Sequence, residues 1–512
     1  MSQTTTSEKA KPAVPKDAAA VILLRAGTDP KDPEVFWAWR SEKLAFMAGY
    51  HAFPGGQLDA ADRYVVVHGS DDPEMAMMIA CAARELLEET GVLLARRGQA
   101  LTKGQLESVR DDLTSGRMNF AQLLEHYGLE LYADDFTFVG RWVTPPFSPR
   151  RFDTCFFLAN CPVKQQPQVD AGELAHGEWI AAKDAVGKWE RAEMLCAPPV
   201  LHGLRMVASG LDEGLTERFL AIPQAHRNAV RRIEFRPGFI CFPVRTPTKP
   251  PATHTNCYLI GGREFVVVDP ASPEPEEQAA LAACVDELIA DGRTVREIIL
   301  THLHPDHIGG VNALIEHLGG QVKVAAHQLT ADALRGTIEV ERIISDDDVI
   351  ELPGIGYVPD INLLVMHTPG HARGHLCFYH EATGALLTGD NIIGLGSVLI
   401  DPPEGNMRDY LASLQRISDL PTLSVLFGAH GPAIGAPRTK IAEYISHRLE
   451  RETNILAAVR DGLSTIPAIV ERVYTDVHPR ALEWAGRATL AHLDKLVEDG
   501  ELRMNGEGAY LV

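Results

Sequence analysis

The segment "VREIILTHLHPDHIGG" limits what this chain can fold into more than any other. An apolar, β-branched run of the kind a buried strand uses opens straight into a loop carrying His302, His304, Asp306 and His307. Open α/β sheets gather their sites at the C-terminal ends of strands, so these four side chains are expected at a sheet edge. Imidazole and carboxylate suit Zn²⁺, Mn²⁺ or Fe²⁺, and the H-x-H-x-D-H spacing lets a loop serve two metals, alternate side chains going to one and the next pair to its neighbour. Downstream, "HTPGHARGH" supplies His371, "LLTGDNIIG" supplies Asp390 and "LFGAHGP" supplies His430, each after an apolar run. One histidine beside glycine and proline is ordinarily a loop residue; an ordered set spread over four strand ends reads as a ligand set. His375, four residues beyond His371, is a candidate for supporting a ligand or for leaving-group acid, with a packed loop histidine as the equal alternative.

At 512 residues the chain exceeds one ordinary core and should divide into about three units. The opening "MSQTTTSEKAKPAVPKD" is polar, without an apolar h-region, and is expected as a disordered tail over residues 1–17. Residues 18–235 read as a first α/β domain: strands in "AAAVILLRA" and "EVFWAWR", the turn "FPGG", a long helix through "MAMMIACAARELLEETG", then two strand-like runs around a proline-rich turn. Residues 236–436 alternate strands and helices as a second, layered α/β domain. Residues 437–512 give three helices and two short strand-like pieces around "GEG", the order of a winged helix.

The net charge of −21 argues against a generic polyanion binder, although a local basic groove stays open. No run of about 18 apolar residues is present, so no transmembrane helix and no membrane partner are expected. Eight cysteines without a CxxC pair fit reduced core thiols in a cytoplasmic protein.

A second constellation lies in "ARELLEETGV". Glu85, Glu88 and Glu89 fall at i, i+3 and i+4 on one helix face, where like charges repel unless a cation or Arg84 compensates. No lysine is interspersed, as a solvated face would have, yet the acids alone leave an acidic surface and a metal-binding helix both open. Oxygen ligands of this kind suit Mg²⁺ or Mn²⁺ carrying a diphosphate.

The histidine set resembles the metallo-β-lactamase fold superfamily, every ligand position of whose pattern is filled. The resemblance implies an αββα sandwich with His302, His304 and His371 at one metal, Asp306, His307 and His430 at the other, and Asp390 bridging. Two cations (zinc, or manganese or iron) about 3.5–4 Å apart would hold hydroxide as the nucleophile and stabilise charge on the attacked centre, with Asp306 and His375 the catalytic candidates. "HTPGHARGH", "GDNIIGLGSV", "GAHGP", "EYISHRLERETNIL" and "AHLDKLVEDG" look like the lactamase-beta-like group that carries a C-terminal winged helix and includes a single-strand RNA endonuclease. In that group the appended helices would cover the metal cleft. The terminal segment has about ten basic against about twelve acidic residues, which does not favour groove binding. The substrate stays open between a phosphodiester, an acyl thioester and another ester; a β-lactam fits a cytoplasmic enzyme least.

In the first domain "RELLEETGV" fits the core of the Nudix box and "FPGG" the loop before it, with a longer spacing than standard and Ala76 where the box has a further glutamate. "RSEKLAFMAGYHAFPGGQLDAAD", "ACAARELLEETGVLLAR" and "WVTPPFSPRRFDTCFFLA" resemble the peroxisomal-type coenzyme A diphosphatases of the Nudix family. This implies metal at Glu85, Glu88 and Glu89, with Arg84 orienting one of them and Glu88 the catalytic acid of the helix. It also implies cofactor contacts from Arg40, Ser41, Gly55 and Gly56. Ala45 stands where that signature has an arginine, and Glu173 is a further acid, more simply read as a surface residue.

The reading that results is a two-site hydrolase: a dinuclear centre cutting an ester, thioester or phosphodiester, joined to a Nudix domain for a nucleotide diphosphate such as coenzyme A or its acyl derivative. A single-strand RNA endonuclease is one alternative. A Nudix domain that only senses its nucleotide and regulates the second domain is the other.

Overall fold

The computed structural model describes residues 12–27, 32–44, 47–96, 101–169, 172–475, 481–506 and 508–512. The expected tail lies outside the described residues as far as position 11, and so does Ala45. The chain forms two compact units, Pro12–Pro237 and Gly238–Val512.

The strand Lys16–Arg25 is buried without a break from Ala18 to Leu24, as a central strand covered on both faces must be. It runs parallel to Phe152–Asn160 and antiparallel to Glu34–Arg40 and Gly55–Gln57. Thr137–Val143 closes one side of this sheet, and Leu174–Ala181 pairs with Glu34–Arg40. The helix Pro73–Thr90 lies across it. Asp72 caps its N-terminus by accepting from the N–H groups of Glu74 and Met75, Pro73 occupies the first turn, and Gly91 ends it at φ 70°. Its buried face, including Ala83, Leu86 and Leu87, packs against Ala19, Val21 and Leu23. That leaves Glu85, Glu88 and Glu89 on the flank beside the Gly55–Gln57 strand.

The second unit is built on two sheets. In the first, Phe239–Arg245, His254–Gly261 and Glu264–Val268 form an antiparallel meander, and Thr294–Ile299, Lys323–Ala326 and Arg342–Ile343 continue it in parallel. In the second, Val349–Leu352, Ile361–His367, Leu376–His380 and Ala385–Gly389 are antiparallel, and Val425–Gly428 adds in parallel. Phe239 and Tyr258 of the first sheet meet Phe427 of the second, the ring centroids 5.7 and 5.9 Å apart, so the sheets pack face to face. Pro275–Ala290 covers the first sheet through Leu281, Val285 and Leu288, and Met407–Ser418 covers the second through Tyr410, Leu414 and Ile417. The layers are therefore α, β, β, α.

Three helices follow, Pro437–Arg460, Ile466–Val473 and Leu482–Glu498, then a hairpin of Arg503–Met504 with Tyr510–Leu511. Ile455, Ile469, Leu493, Leu496 and Tyr510 make a small core among them. Ile441 and Tyr444, at the start of the first, belong instead to the core of the second sheet. None of the eight cysteines is in a disulfide. No helix among the described residues is long and apolar enough to cross a membrane.

Phe427 is completely buried at the seam between the two sheets. Phe427→Ala is expected to cost about 3–5 kcal/mol, read from the denaturant midpoint of the full chain; a loss below about 1 kcal/mol would mean the sheets do not depend on this contact.

Candidate metal centre and acidic helix

Each histidine-set residue sits where a strand runs out. His302 and His304 follow Thr294–Ile299, Asp306 and His307 lie in the short helix Pro305–Ile308, His371 follows Ile361–His367, Asp390 follows Ala385–Gly389, and His430 follows Val425–Gly428. Their ligand atoms fall into three mutually close groups, each within 4.8 Å: His302, His304 and His371; His302, His307 and Asp390; Asp306, His307 and His430.

Hydrogen bonds on the far side of the rings decide which nitrogen faces inward. His371 Nδ1 donates to the Leu399 carbonyl and His430 Nδ1 to the His254 carbonyl, both at 2.9 Å, so each Nε2 is left with a lone pair. Asp269 does the same for two more. Its Oδ1 accepts Thr301 N–H at 2.8 Å, and its Oδ2 accepts Thr301 Oγ1–H at 2.6 Å and His307 Nδ1–H at 2.8 Å. With its proton committed to Asp269, Thr301 Oγ1 accepts from His302 Nδ1 at 2.9 Å.

The inward nitrogens then face one another. His304 Nδ1 lies 2.9 Å from both His302 Nε2 and His371 Nε2, and one proton cannot satisfy both contacts. His307 Nε2 and Asp390 Oδ1 are buried without a hydrogen-bond partner, although they lie 3.5 Å apart. A buried set of converging ring nitrogens and carboxylate oxygens is unfavourable by itself and is what a divalent cation satisfies, taking the place of the protons between them, so the residues fit the metals that the fold implies.

Charge is arranged accordingly. Burial, then His307 and His304, hold His302 well below the ordinary histidine range. Burial pushes the same way at His307, but the flanking Asp390 and Asp269 overturn it and hold His307 well above that range. Burial would raise Asp390, yet His430 and His307 keep it far below the usual carboxylate range.

His375 does not reach the cleft. It is fully buried, its Nδ1 is 3.0 Å from Thr368 Oγ1, and its Nε2 accepts the Asp390 backbone N–H at 3.1 Å. Its role as leaving-group acid is therefore corrected: both ring nitrogens are engaged, and what it does is hold Asp390. Gly389 permits this, since at φ 46° an added Cβ would stand 2.7 Å from His375 Nε2. Asp269 escaped the sequence reading because one aspartate before proline looks like a turn. Its signal was there, a carboxylate ending the apolar strand "EFVVV" at the same sheet edge.

On the acidic helix, Arg84 clamps Asp62 with two bonds of 2.9 Å and reaches Glu85 at 2.8 Å and Glu88 at 3.2 Å. Asp62, buried in the segment between "FPGG" and the helix, was not anticipated. Arg110 donates to the Glu88 and Glu89 carbonyls, capping the C-terminal end of the helix. Gly55 N–H donates to Glu89 Oε2 at 2.8 Å, and Gly56 lets Glu85 approach so closely that an added Cβ would meet its carboxyl carbon at 2.5 Å. Burial, against the pull of Arg84, lifts Glu85 to about 7; burial, against the Gly55 N–H, lifts Glu89 to about 8. Burial raises Glu88 as well. Among the described residues these three acids do not converge as the histidine groups do. They line a cavity of about 1050 Å³ together with Arg40, Gly55, Gly56 and Glu173.

Arg40 Nε is buried there without a hydrogen-bond partner. Ser41, expected beside it, does not line the cavity: its N–H donates to the Glu173 carbonyl and its Oγ accepts the Lys43 N–H. Ala76 packs on the apolar core and offers no carboxylate.

The αββα sandwich with its histidine and aspartate edge defines a metal-dependent hydrolase, preceded in the chain by a separate α/β unit. Residues 250–430 match the Metallo-beta-lactamase superfamily, residues 66–207 the NUDT19 Nudix domain, and residues 465–509 the Beta-lactamase associated winged helix domain. The chain is 30% identical to the Beta-lactamase-like protein 2 homolog of Caenorhabditis elegans over 253 residues, 48% of this chain and 79% of that protein. It is 31% identical to an atrochrysone carboxyl ACP thioesterase of Aspergillus chevalieri over 242 residues, 45% of this chain and 72% of that protein. A solved metallo-beta-lactamase family protein from Thermus thermophilus aligns at 27% identity and TM-score 0.43, covering 54% of this chain and 98% of that one. The chain belongs to the metallo-β-lactamase superfamily, with a Nudix domain before the sandwich and a winged helix after it.

Two outcomes follow from these contacts. Asp269→Asn removes the acceptor that sets the His307 and, through Thr301, the His302 tautomer, and is expected to weaken Zn²⁺ binding about 10–100-fold in chelator competition; unchanged affinity would show that Asp269 does not orient the rings. Glu89, raised from 4.5 to about 8, contributes stability that is fully present below about pH 4.5 and is lost as pH rises from there to about 8. The thermal midpoint of metal-free protein should therefore fall over that window, and Mg²⁺ should raise it more at about pH 9 than at about pH 6. Glu89→Gln should reduce the difference and leave the part due to Glu85, itself raised to about 7; a Mg²⁺ shift independent of pH in the unaltered protein would refute it.

Proposed function

We propose that the histidine centre hydrolyses a pantetheine thioester, an acyl group carried on coenzyme A or on a carrier protein. The Nudix cavity takes the diphosphate end of a nucleotide such as coenzyme A. The observation that carries the reading is Asp390. Its Oδ1 lies 3.5 Å from His307 Nε2 and 3.3 Å from His430 Nε2, while its Oδ2 lies 3.6 Å from His371 Nε2. One carboxylate thus faces both ligand groups, which supports two ions: one held by His302, His304 and His371, the other by Asp306, His307 and His430, with Asp390 shared. Zinc suits this nitrogen-rich donor set, and manganese or iron would also fit.

Bound divalent ions supply activation of water at neutral pH and stabilisation of negative charge on the attacked carbonyl. The chain's own residues do the rest. Asp306 is the most exposed of the carboxylates here and faces His430 Nε2 at 3.6 Å. Although burial would raise it, His307 and His430 keep it below the usual carboxylate range, so it is ionised and able to take the proton of the attacking water. His375 is occupied with Asp390, which leaves it no proton for a leaving group. A thiol, with a pKa of about 8.5, leaves as thiolate without strong acid assistance, whereas an alcohol does not. This chemistry and the thioesterase among the relatives both favour a thioester. In the Nudix cavity the helix acids would hold Mg²⁺ or Mn²⁺, which would bind the diphosphate, and Glu88 would act on the attacking water.

The test uses metal-loaded full chain with acyl-coenzyme A and, separately, single-stranded RNA. Thioesterase activity should fall at least about 100-fold in His304→Ala and persist in Glu88→Gln. Loss of phosphopantetheine release in Glu88→Gln alone would assign diphosphate cleavage to the Nudix helix; coenzyme A binding without release would make that domain a sensor. Cleavage of RNA and not of the thioester would overturn the proposal in favour of a nuclease.

A further inference from the structure

We infer that the helix Pro437–Arg460, which leads into the winged helix, positions the metal centre through Tyr444 and Arg448 by holding the segment 390–399. The inference rests on the reading of the histidine cluster as a metal centre. The segment contains no helix or strand, so no backbone ladder fixes it. Three ligands nevertheless depend on it. Asp390 begins it, Gly394 N–H donates to the His430 carbonyl at 2.7 Å, and the Leu399 carbonyl accepts from His371 Nδ1 at 2.9 Å.

Side chains from outside supply the missing order. Tyr444 Oη accepts from Ile393 N–H at 3.4 Å and faces the carbonyls of Ile393 and Gly396, each at 3.2 Å. Arg448 Nη2 donates to the Val398 carbonyl, one residue before the His371 partner, and its guanidinium lies over the Tyr410 ring at 5.5 Å. Tyr410 in turn donates to the carbonyl of Asn391, next to Asp390, at 2.8 Å. Arg448 is only 5% exposed. Burying a guanidinium is costly, and an apolar side chain would fill the space at less cost if packing were its whole purpose. Ile441 and Ile455 of the same helix do pack in that way. The charge is directed instead at a carbonyl inside the ligand-bearing loop, as metal sites use outer contacts to fix ligand orientation. Tyr444 and Arg448 are positioning residues.

Arg451 gives an internal comparison. It sits on the same helix but donates to the Val473 carbonyl at 2.7 Å and lies over the Tyr474 ring at 4.3 Å, within the winged helix. Full-length protein stripped of metal is titrated with Zn²⁺ against a chromophoric chelator, and the visible spectrum of the Co²⁺ form is recorded. Tyr444→Phe should weaken Zn²⁺ binding about tenfold and Arg448→Met up to about 100-fold, both with a shifted Co²⁺ band. Arg448→Lys should recover part of the loss, and Arg451→Met should bind both ions as the unaltered protein does. Circular dichroism reports folding, and if Arg448→Met does not fold, Tyr444→Phe decides. Unaltered affinity and spectrum in Tyr444→Phe and folded Arg448→Met would overturn the inference, as would equal weakening in Arg451→Met. Failure of the unaltered protein to bind either ion would instead overturn the metal-centre reading itself.

Discussion

Asp269 closes the strand Glu264–Val268 in a left-handed backbone conformation, φ 52°, and takes three protons on its two buried oxygens, two from Thr301 and one from His307. A non-glycine residue is held there only when its surroundings over-determine it. The bonds make clear what the strain maintains. Fixing the Nδ1 proton by an acceptor-only carboxylate leaves Nε2 as the nitrogen directed inward, the one free to give up its proton to a cation. Two histidines of the loop owe their orientation to this one carboxylate, and carbonyls at Leu399 and His254 do the same for His371 and His430. The two sheets of the sandwich bring these separate supports to one edge.

The two acidic sites answer the same desolvation in opposite ways. Asp390 is driven far below the usual carboxylate range because His430 and His307 stand beside it. Glu89 is driven up to about 8, because burial outweighs the one N–H that Gly55 offers. Burial alone always disfavours the ionised form, and only neighbours of opposite charge reverse it. The histidine centre therefore arrives with its charges paired, whereas burial keeps the acids of the Nudix helix above the usual carboxylate range even with Arg84 beside Glu85 and Glu88. That difference runs alongside the donor types: nitrogen and oxygen together at the one, oxygen alone at the other.

Much of this was legible along the chain. The ligand candidates His302, His304, Asp306, His307, His371, Asp390 and His430 could be placed because each follows an apolar strand, and the structure brings all seven to one edge. Glu85, Glu88 and Glu89 share a helix face by periodicity alone, and the cavity beside them contains all three. The supporting residues were less visible. Asp62 is a single acid in loop-like surroundings with nothing local to mark it as the partner of Arg84, and Asp269 shows only its place at the end of the apolar strand Glu264–Val268. Arg448 stands among charged neighbours in "SHRLERET", where sequence cannot separate a buried cation from a solvated one. His375 stayed ambiguous for the same reason: its spacing from His371 is local, but its partner is the backbone of Asp390, fifteen residues on.

What the sequence determined by itself is the inventory: the order of a Nudix domain, an αββα sandwich and a winged helix, and the residue types able to bind metal in the first two. Those follow from periodicity, turn residues and donor chemistry, all of which act over a few neighbouring positions. Tertiary structure alone decided which nitrogen each imidazole turns inward, which carboxylate is ionised, and that a helix leading into the winged helix reaches the loop of Asp390. These depend on atoms that meet across long stretches of chain, where hydrogen-bond geometry and desolvation, rather than residue type, set the outcome.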